Sequence, residues 1–145
     1  MIGLVQRVSR ASVCTGGRPL GEIGPGMLAL IGVRPQDDHA AADRLLERLL
    51  TYRIFPDAQG RMNLSLQAAA GGLLLVPQFT LAADTHKGTR PGFSTAAASE
   101  TARELFAYLL EQAMSAHSPV AAGEFGAHMQ VELVNDGPVT FWLET

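Results

Sequence analysis

Residues 26–55 read GMLALIGVRPQDDHAAADRLLERLLTYRIF, and the change of period inside them decides the fold. From Gly26 to Val33 the side chains are almost all apolar, with Gly at one end and Pro35 just beyond the other. Such a run reads as a strand buried on both faces rather than one with a wet side. After Pro35 the period becomes three to four. Ala42, Leu45, Leu46, Leu49 and Leu50 then fall on one face of a helix, with Asp37 or Asp38 placed to cap its first turn. A buried strand that feeds an amphipathic helix calls for a sheet with helices laid against it.

The flanks extend this pattern. Residues 1–8 are rich in Ile, Leu and Val and read as a strand, and ASVCTGGRPLGEIG reads as two short strands around a Gly16-Gly17 turn. PDAQGRMNLSLQ (56–67) is turn-rich, and GGLLLVPQFTL (71–81) is a second buried strand that carries a proline, Pro77. A polar Gly- and Pro-containing loop spans 84–94. A second long helix follows in TAAASETARELFAYLLEQAMSAH (95–117), with Leu105, Leu109 and Ala113 as its stripe and Ala102, Phe106 and Leu110 beside it. HMQVELVNDGPVTFWLE (128–144) alternates and turns once at Asn135-Asp136-Gly137, as a hairpin does. The expectation is one compact domain over 1–145 in the α/β class, mixed and α+β-like. It has about seven strands in mixed or antiparallel sheets and two main helices. The first four strands read as antiparallel, which argues against a doubly wound nucleotide fold.

Bulk properties narrow the function. At 145 residues, 47% apolar and with a mean hydropathy of +0.13, the chain is expected to bury a full core. Its net charge of −3 weighs against a protein that holds long DNA or RNA by bulk attraction, but leaves room for a small footprint on an RNA end. No apolar run approaches the roughly 18 residues of a membrane span, and MIGLVQRVSR lacks the form of a signal peptide. Cys14 is the single cysteine. A cytoplasmic protein without a cofactor or metal is expected.

Familiar catalytic equipment is scarce. His39, His86, His117 and His128 lie in four separate segments without metal-ligand spacing. Solvated or capping roles suit His39 and His117, and His128 is expected to face solvent. There is no G-x-S-x-G elbow and no phosphate loop of the G-x-x-x-x-G-K-[ST] type. What remains is VPQFTLAADTHKGTRPGF (76–93). A polar Gln78-Phe79-Thr80 follows a buried strand, and Lys87 and Arg90 follow in the loop. These residues describe either a strand end with a solvated turn, or a pocket mouth with free backbone N–H groups, one hydroxyl and two cations for a phosphate. Gly137-Pro138 has two readings as well: plain turn chemistry, or a rigid backbone wedge that faces a ligand.

QFTL, ADTHKGTRPGF and NDGPVT together resemble the D-aminoacyl-tRNA deacylase family, also called D-tyrosyl-tRNA deacylases. VQRVSRASV and YRIFPDAQGRMNLSLQ match it too, so the resemblance spans nearly the whole chain. It implies a deacylase-type fold working as a homodimer, and hydrolysis of the ester that joins a D-amino acid to the 3′ end of tRNA. Glycine mischarged on tRNA-Ala would be a further substrate. Carried over by position, Gln78, Phe79 and Thr80 line the pocket, with nearby backbone N–H groups holding the scissile carbonyl oxygen. Gly137 and Pro138 match a Gly-cis-Pro pair that enters the partner subunit's pocket, and Met129 and Arg7 match positions that support it. Two positions depart from the family pattern: Pro77 and Gly92 stand where serine is usual.

The resemblance favours the wedge. Backbone atoms that cannot rotate aside would admit a D-side chain, or glycine's hydrogen, and collide with an L-side chain. With no evident protein base, the tRNA's own 2′-hydroxyl would assist the chemistry, while the protein supplies positioning and an oxyanion site. Lys87 and Arg90 are the candidates for the tRNA end. Two alternatives stand beside this reading: an esterase with Thr80 as nucleophile, and a non-enzymatic module that binds RNA ends or amino acids.

Overall fold

The computed structural model describes residues 1–145. Its spine is β1 (Ile2–Thr15), a 14-residue strand that pairs antiparallel with β2 (Arg18–Ile23) through residues 11–15 and with β3 (Gly26–Gly32) through residues 2–8. Gly16 and Gly17, at φ +53° and +79°, make the turn into β2, a backbone region where a side chain is strained. β6 (Gly72–Pro77) lies parallel to β3, and β7 (Val120–Ala122) lies parallel to β6. Helix α1 (His39–Thr51) and helix α3 (Ser99–Ala116) supply the crossovers and pack on one face of the sheet. The mixed α/β expectation with two main helices therefore holds.

Alternation sorts the strands between two cores. On β3, Met27, Ala29 and Ile31 face the helices and Leu28 faces away; on β6, Leu73 and Leu75 face the helices and Leu74 and Val76 face away. Both strands are covered on both sides, which is why their sequences read as continuous apolar runs. Leu45 and Leu49 of α1 are wholly buried, which is worth about 2 kcal/mol each. Asp38, not Asp37, caps α1: its Oδ1 accepts from Ala41 N–H at 2.9 Å. Asp37 is occupied elsewhere, accepting from the Met1 ammonium at 2.7 Å and from Arg34 N–H at 2.6 Å.

Three local expectations are corrected. The first strand and the one after it are a single strand, β1, because both halves share the chain's last strand, β8 (Gln130–Glu144), as a partner on the same edge. The turn-rich stretch after α1 contains a small ladder, β4 (Phe55–Pro56) with β5 (Met62–Leu64), and a one-turn helix α2 (Leu66–Ala69) capped by Ser65. The expected C-terminal hairpin is instead one strand, β8 (Gln130–Glu144), running antiparallel to β1 for its whole length. Asn135 pairs with Val8 and Thr140 with Gln6, so β8 takes five steps where β1 takes two. The surplus, Asp136–Val139, is pushed out of the ladder as an excursion. The turn signal was real, but the strand resumes its old direction after it.

Pro77 is accommodated by register. Gln78 N–H donates across to Ile31 O of β3, whereas Leu73 N–H donates to Pro119 O on the β7 side. Alternation sends position 77 the same way as 73. The last pair between β6 and β7 is Leu75 with Ala122. The N–H that Pro77 lacks would thus point past the end of β7, where no ladder partner waits.

Candidate functional site

Where β6 ends, the chain turns at once into a 3-10 turn, Phe79–Ala82. Gln78 anchors it on both sides: its N–H bonds Ile31 O at 2.7 Å and its carbonyl accepts from Leu81 N–H at 3.2 Å. The Gln78 side-chain amide donates to the Thr80 hydroxyl, so these two polar groups are held as one unit. Thr95 ties the end of the turn, donating from Oγ1 to Ala82 O at 2.6 Å. Phe79 and Thr80 occupy the first two positions of the turn, whose N–H groups the turn itself cannot satisfy, and no side chain caps them.

Two clefts flank the turn. The smaller, about 250 Å³, is walled by Val76, Pro77, Gln78, Phe79, Met129 and Val131, with His128 at its lip. Met129 is seated by a contact from Glu124 N–H to its Sδ at 3.3 Å. An ideal Cβ on Gly123 would lie 2.8 Å from that sulfur, so only glycine lets the thioether sit there. His128 thus stands at a site where no protein base is evident from the sequence; its side chain is exposed, as expected. The larger cleft, about 870 Å³, includes Thr80, Asp84, His86, Arg34 and Trp142. Trp142 is nearly half exposed; its indole N–H donates to Glu144, which also pairs with Arg34 at 2.8 Å. Those two donors, the indole first, hold the Glu144 carboxyl below its ordinary pKa.

The basic loop is a closed hairpin. Asp84 and Gly92 exchange both backbone hydrogen bonds, at 2.8 and 2.9 Å. The Asp84 carboxylate accepts from the backbone N–H of His86 at 2.9 Å and faces its ring at 2.8 Å, contacts that lower its pKa in that order. Lys87 and Arg90 stand exposed on this loop without a carboxylate partner. Phe93, at its base, packs on Phe79 with ring centroids 5.1 Å apart, and both rings remain about half exposed. The loop is thereby fixed to the mouth of the turn.

Gly137 and Pro138 form the tip of the β8 excursion, fully at the surface, with the peptide between them cis. Neither residue lines either cleft of its own chain. Arg7, the one residue of β1 opposite the excursion, grips it from below. Its Nε donates to Asp136 O at 2.9 Å and lies 3.2 Å from the Asp136 carboxylate, while Nη1 donates to Ile54 O at 2.7 Å. The structure thus joins Gln78, Phe79 and Met129 in one cleft and joins Arg7 to the Gly137-Pro138 tip. It places Lys87 and Arg90 on the loop beside Phe79. Asn135, which bonds Val139 from across the excursion, carries a role that the sequence signalled only as turn chemistry. Of the two histidines expected to be solvated or to cap, His117 ends α3, with its ring meeting Gly71 O at 2.7 Å, while His39 is exposed in the first turn of α1, which Asp38 caps.

Comparison with known proteins places this architecture. Residues 4–144 match the family model described as D-Tyr-tRNA(Tyr) deacylase. A D-aminoacyl-tRNA deacylase of Thioalkalivibrio sulfidiphilus is 63% identical over 144 residues, covering 99% of this chain and 97% of that protein. One from Pseudomonas savastanoi pv. phaseolicola is 61% identical over the full length of both. Among solved structures, the c-Myc DNA Unwinding Element Binding Protein superposes with a TM-score of 0.95 at 37% identity, covering 100% of this chain and 99% of its own. A probable eukaryotic D-amino acid tRNA deacylase shares the fold, with a TM-score of 0.84 at 16% identity over 99% and 98% of the two chains.

Proposed function

The chain belongs to the D-Tyr-tRNA(Tyr) deacylase family and is a hydrolase of D-aminoacyl-tRNA; from that premise we propose how its residues divide the work. The Gly137-Pro138 tip of one subunit enters the Gln78-Phe79-Met129 cleft of a second copy and selects chirality there by backbone shape. One observation carries this reading. The tip is a built, anchored projection that serves no cleft of its own chain, while a cleft beside a free turn stands open on the same molecule. Exposed Phe79, Val134 and Trp142 supply apolar surface that a second copy would cover.

In the assembled site Met129 meets the partner's tip, and Arg7 sets the height of its own. An L-side chain on the bound ester collides with main-chain atoms that have no rotamer to yield; a D-side chain or the hydrogen of glycine passes. Glycyl-tRNA, including glycine mischarged on tRNA-Ala, is therefore a substrate too. The N–H groups of Phe79 and Thr80 receive the carbonyl oxygen as it gains charge, and Gln78 holds the Thr80 hydroxyl in place. Positioning and oxyanion stabilisation of this kind are together worth several kcal/mol. The 2′-hydroxyl of the terminal adenosine, adjacent to the ester, assists the attack of water. Lys87 and Arg90 hold phosphates of the acceptor end, weakly and in a salt-sensitive way.

His128 at the lip of the cleft supports a second reading, in which its imidazole acts as the base. Single-turnover hydrolysis of D-aminoacyl-tRNA, ending in adenosine or 2′-deoxyadenosine, separates the mechanisms when measured with the unaltered enzyme, Thr80→Ala and His128→Ala. Assistance by the tRNA predicts a severe loss with the deoxy end and modest losses with either variant. A dead Thr80→Ala with robust hydrolysis of the deoxy substrate hands the mechanism to a Thr80 nucleophile. A dead His128→Ala hands it to the imidazole. No turnover of any aminoacyl-tRNA by the unaltered protein would leave only a binding module.

A further inference from the structure

The excursion on β8 breaks the ladder over Asp136–Val139, and a side chain takes the ladder's place at its neck. Asn135 Oδ1 accepts from Val139 N–H at 2.8 Å, and its Nδ2 donates to Val139 O at 3.2 Å. The amide thus imitates a strand residue across the neck, offering one acceptor and one donor to one backbone unit. Nδ2 also reaches Thr140 Oγ1 at 3.2 Å, and that oxygen accepts from Gln6 Nε2 on β1 at 3.1 Å. Gln6 and Thr140 are register partners, so the chain of contacts ends on the sheet itself.

Val139 matters because the tip is folded back onto it. An ideal Cβ on Gly137 would lie 2.4 Å from Val139 N and 2.6 Å from Val139 Cγ2. The direction in which Gly137 faces is therefore set by where Val139 is held, and Asn135 holds Val139. Arg7 fixes the other limb of the excursion through Asp136.

We infer that Asn135, with Thr140 and Gln6 behind it, is a positioning residue for stereochemical selection: it aims the Gly137-Pro138 tip without touching substrate. This rests on the reading that the tip selects chirality. A residue that only supported the fold would, when replaced, lower hydrolysis of D- and L-aminoacyl-tRNA by the same factor. A residue that aims the tip changes the ratio between them, because rejection of the L-ester depends on the tip's position.

The test measures single-turnover rates on D- and L-aminoacyl-tRNA, with thermal melting, for Asn135→Ala, Thr140→Val, Thr140→Ser and Gly137→Ala. Thr140→Val keeps the β-branched shape of a strand residue and removes only the oxygen, so it decides the matter if Asn135→Ala fails to fold. The expected result is a D-to-L ratio lowered more than threefold in Asn135→Ala and Thr140→Val and retained in Thr140→Ser, which keeps the hydroxyl. A ratio lowered by threefold or less, or raised, in either of the first two overturns the inference, as does a Thr140→Ser that behaves like Thr140→Val. Gly137→Ala separates this from the parent reading. If it leaves the ratio unchanged, the tip is not the selector and both ideas fall. If it shifts the ratio while Asn135→Ala and Thr140→Val do not, only the role of Asn135 falls.

Discussion

Replacing Arg7 with alanine should injure stability and selectivity together, in amounts that the contacts allow to be worked out. The guanidinium makes two bonds to main-chain carbonyls and one ion pair. The bond to Ile54 O at 2.7 Å lies in a partly buried setting, and the Arg7 side chain is only 12% exposed. A hydrogen bond from a charged donor is worth about 1.5–3 kcal/mol there, and its loss leaves Ile54 O without that donor. The contacts to Asp136 face solvent, with 58% of that side chain exposed, so they add only about 0–1 kcal/mol. The expected total is about 1.5–4 kcal/mol in urea unfolding, carried by the midpoint rather than the slope. Selectivity draws on the smaller part: freeing Asp136 loosens the tip, so the D-to-L rate ratio should fall by up to about fivefold, which is about 1 kcal/mol of discrimination. Arg7→Lys has one ammonium in place of a fork and cannot serve both carbonyls, so it should recover the stability or the ratio but not both. An Arg7→Ala protein within about 0.5 kcal/mol of the original, the range of an inconsequential surface substitution, and with an unchanged ratio would refute the claim that this residue anchors the tip.

Subunit complementation follows from a tip that serves its neighbour. Mixing a cleft-filled Met129→Trp subunit with a tip-blocked Gly137→Val subunit should restore one working site per heterodimer; mixtures that stay dead, or an active monomer by light scattering, would rule the arrangement out. Pro77→Ser should change D-aminoacyl-tRNA hydrolysis by less than about tenfold, because the absent N–H points past the end of β7; a larger change in kinetics would show a chemical role for that position. Gly26→Ala places a Cβ 2.0 Å from Gly72 O and 2.5 Å from Gly72 N, so β3 and β6 must part. That exceeds ordinary overpacking and should cost at least about 3 kcal/mol, and a melting curve like the original's would contradict it. Glu144 has a depressed folded pKa, so its stabilising contribution is present above the ordinary glutamate value and fades as pH falls through the folded one. Fluorescence of Trp142, the single tryptophan, should show an acid transition centred below the ordinary glutamate value and abolished in Glu144→Gln. A midpoint at or above that value would be the contrary result.

The sequence by itself determined the elements whose burial is local in period. The two-sided strands at 26–32 and 72–77, and the stripes of α1 and α3, were legible because alternation or three-to-four spacing is imposed by the core each segment must meet. The motif residues Gln78, Phe79, Thr80, Gly137 and Pro138 were legible through resemblance, and so was the family. Tertiary structure alone decided how 130–144 is used. Asn135-Asp136-Gly137 carries the same turn propensity whether the chain reverses or bulges, and only pairing with β1, far away in sequence, keeps it running forward. The choice of Asp38 over Asp37 as a cap depended likewise on a distant partner, the Met1 ammonium that takes Asp37. The seating of Met129 against the Gln78 turn spans about fifty residues of chain, and the grip of Arg7 on Asp136 spans more than a hundred. No short-range pattern encodes them, because a side chain's partners are fixed by which backbones the sheet brings side by side.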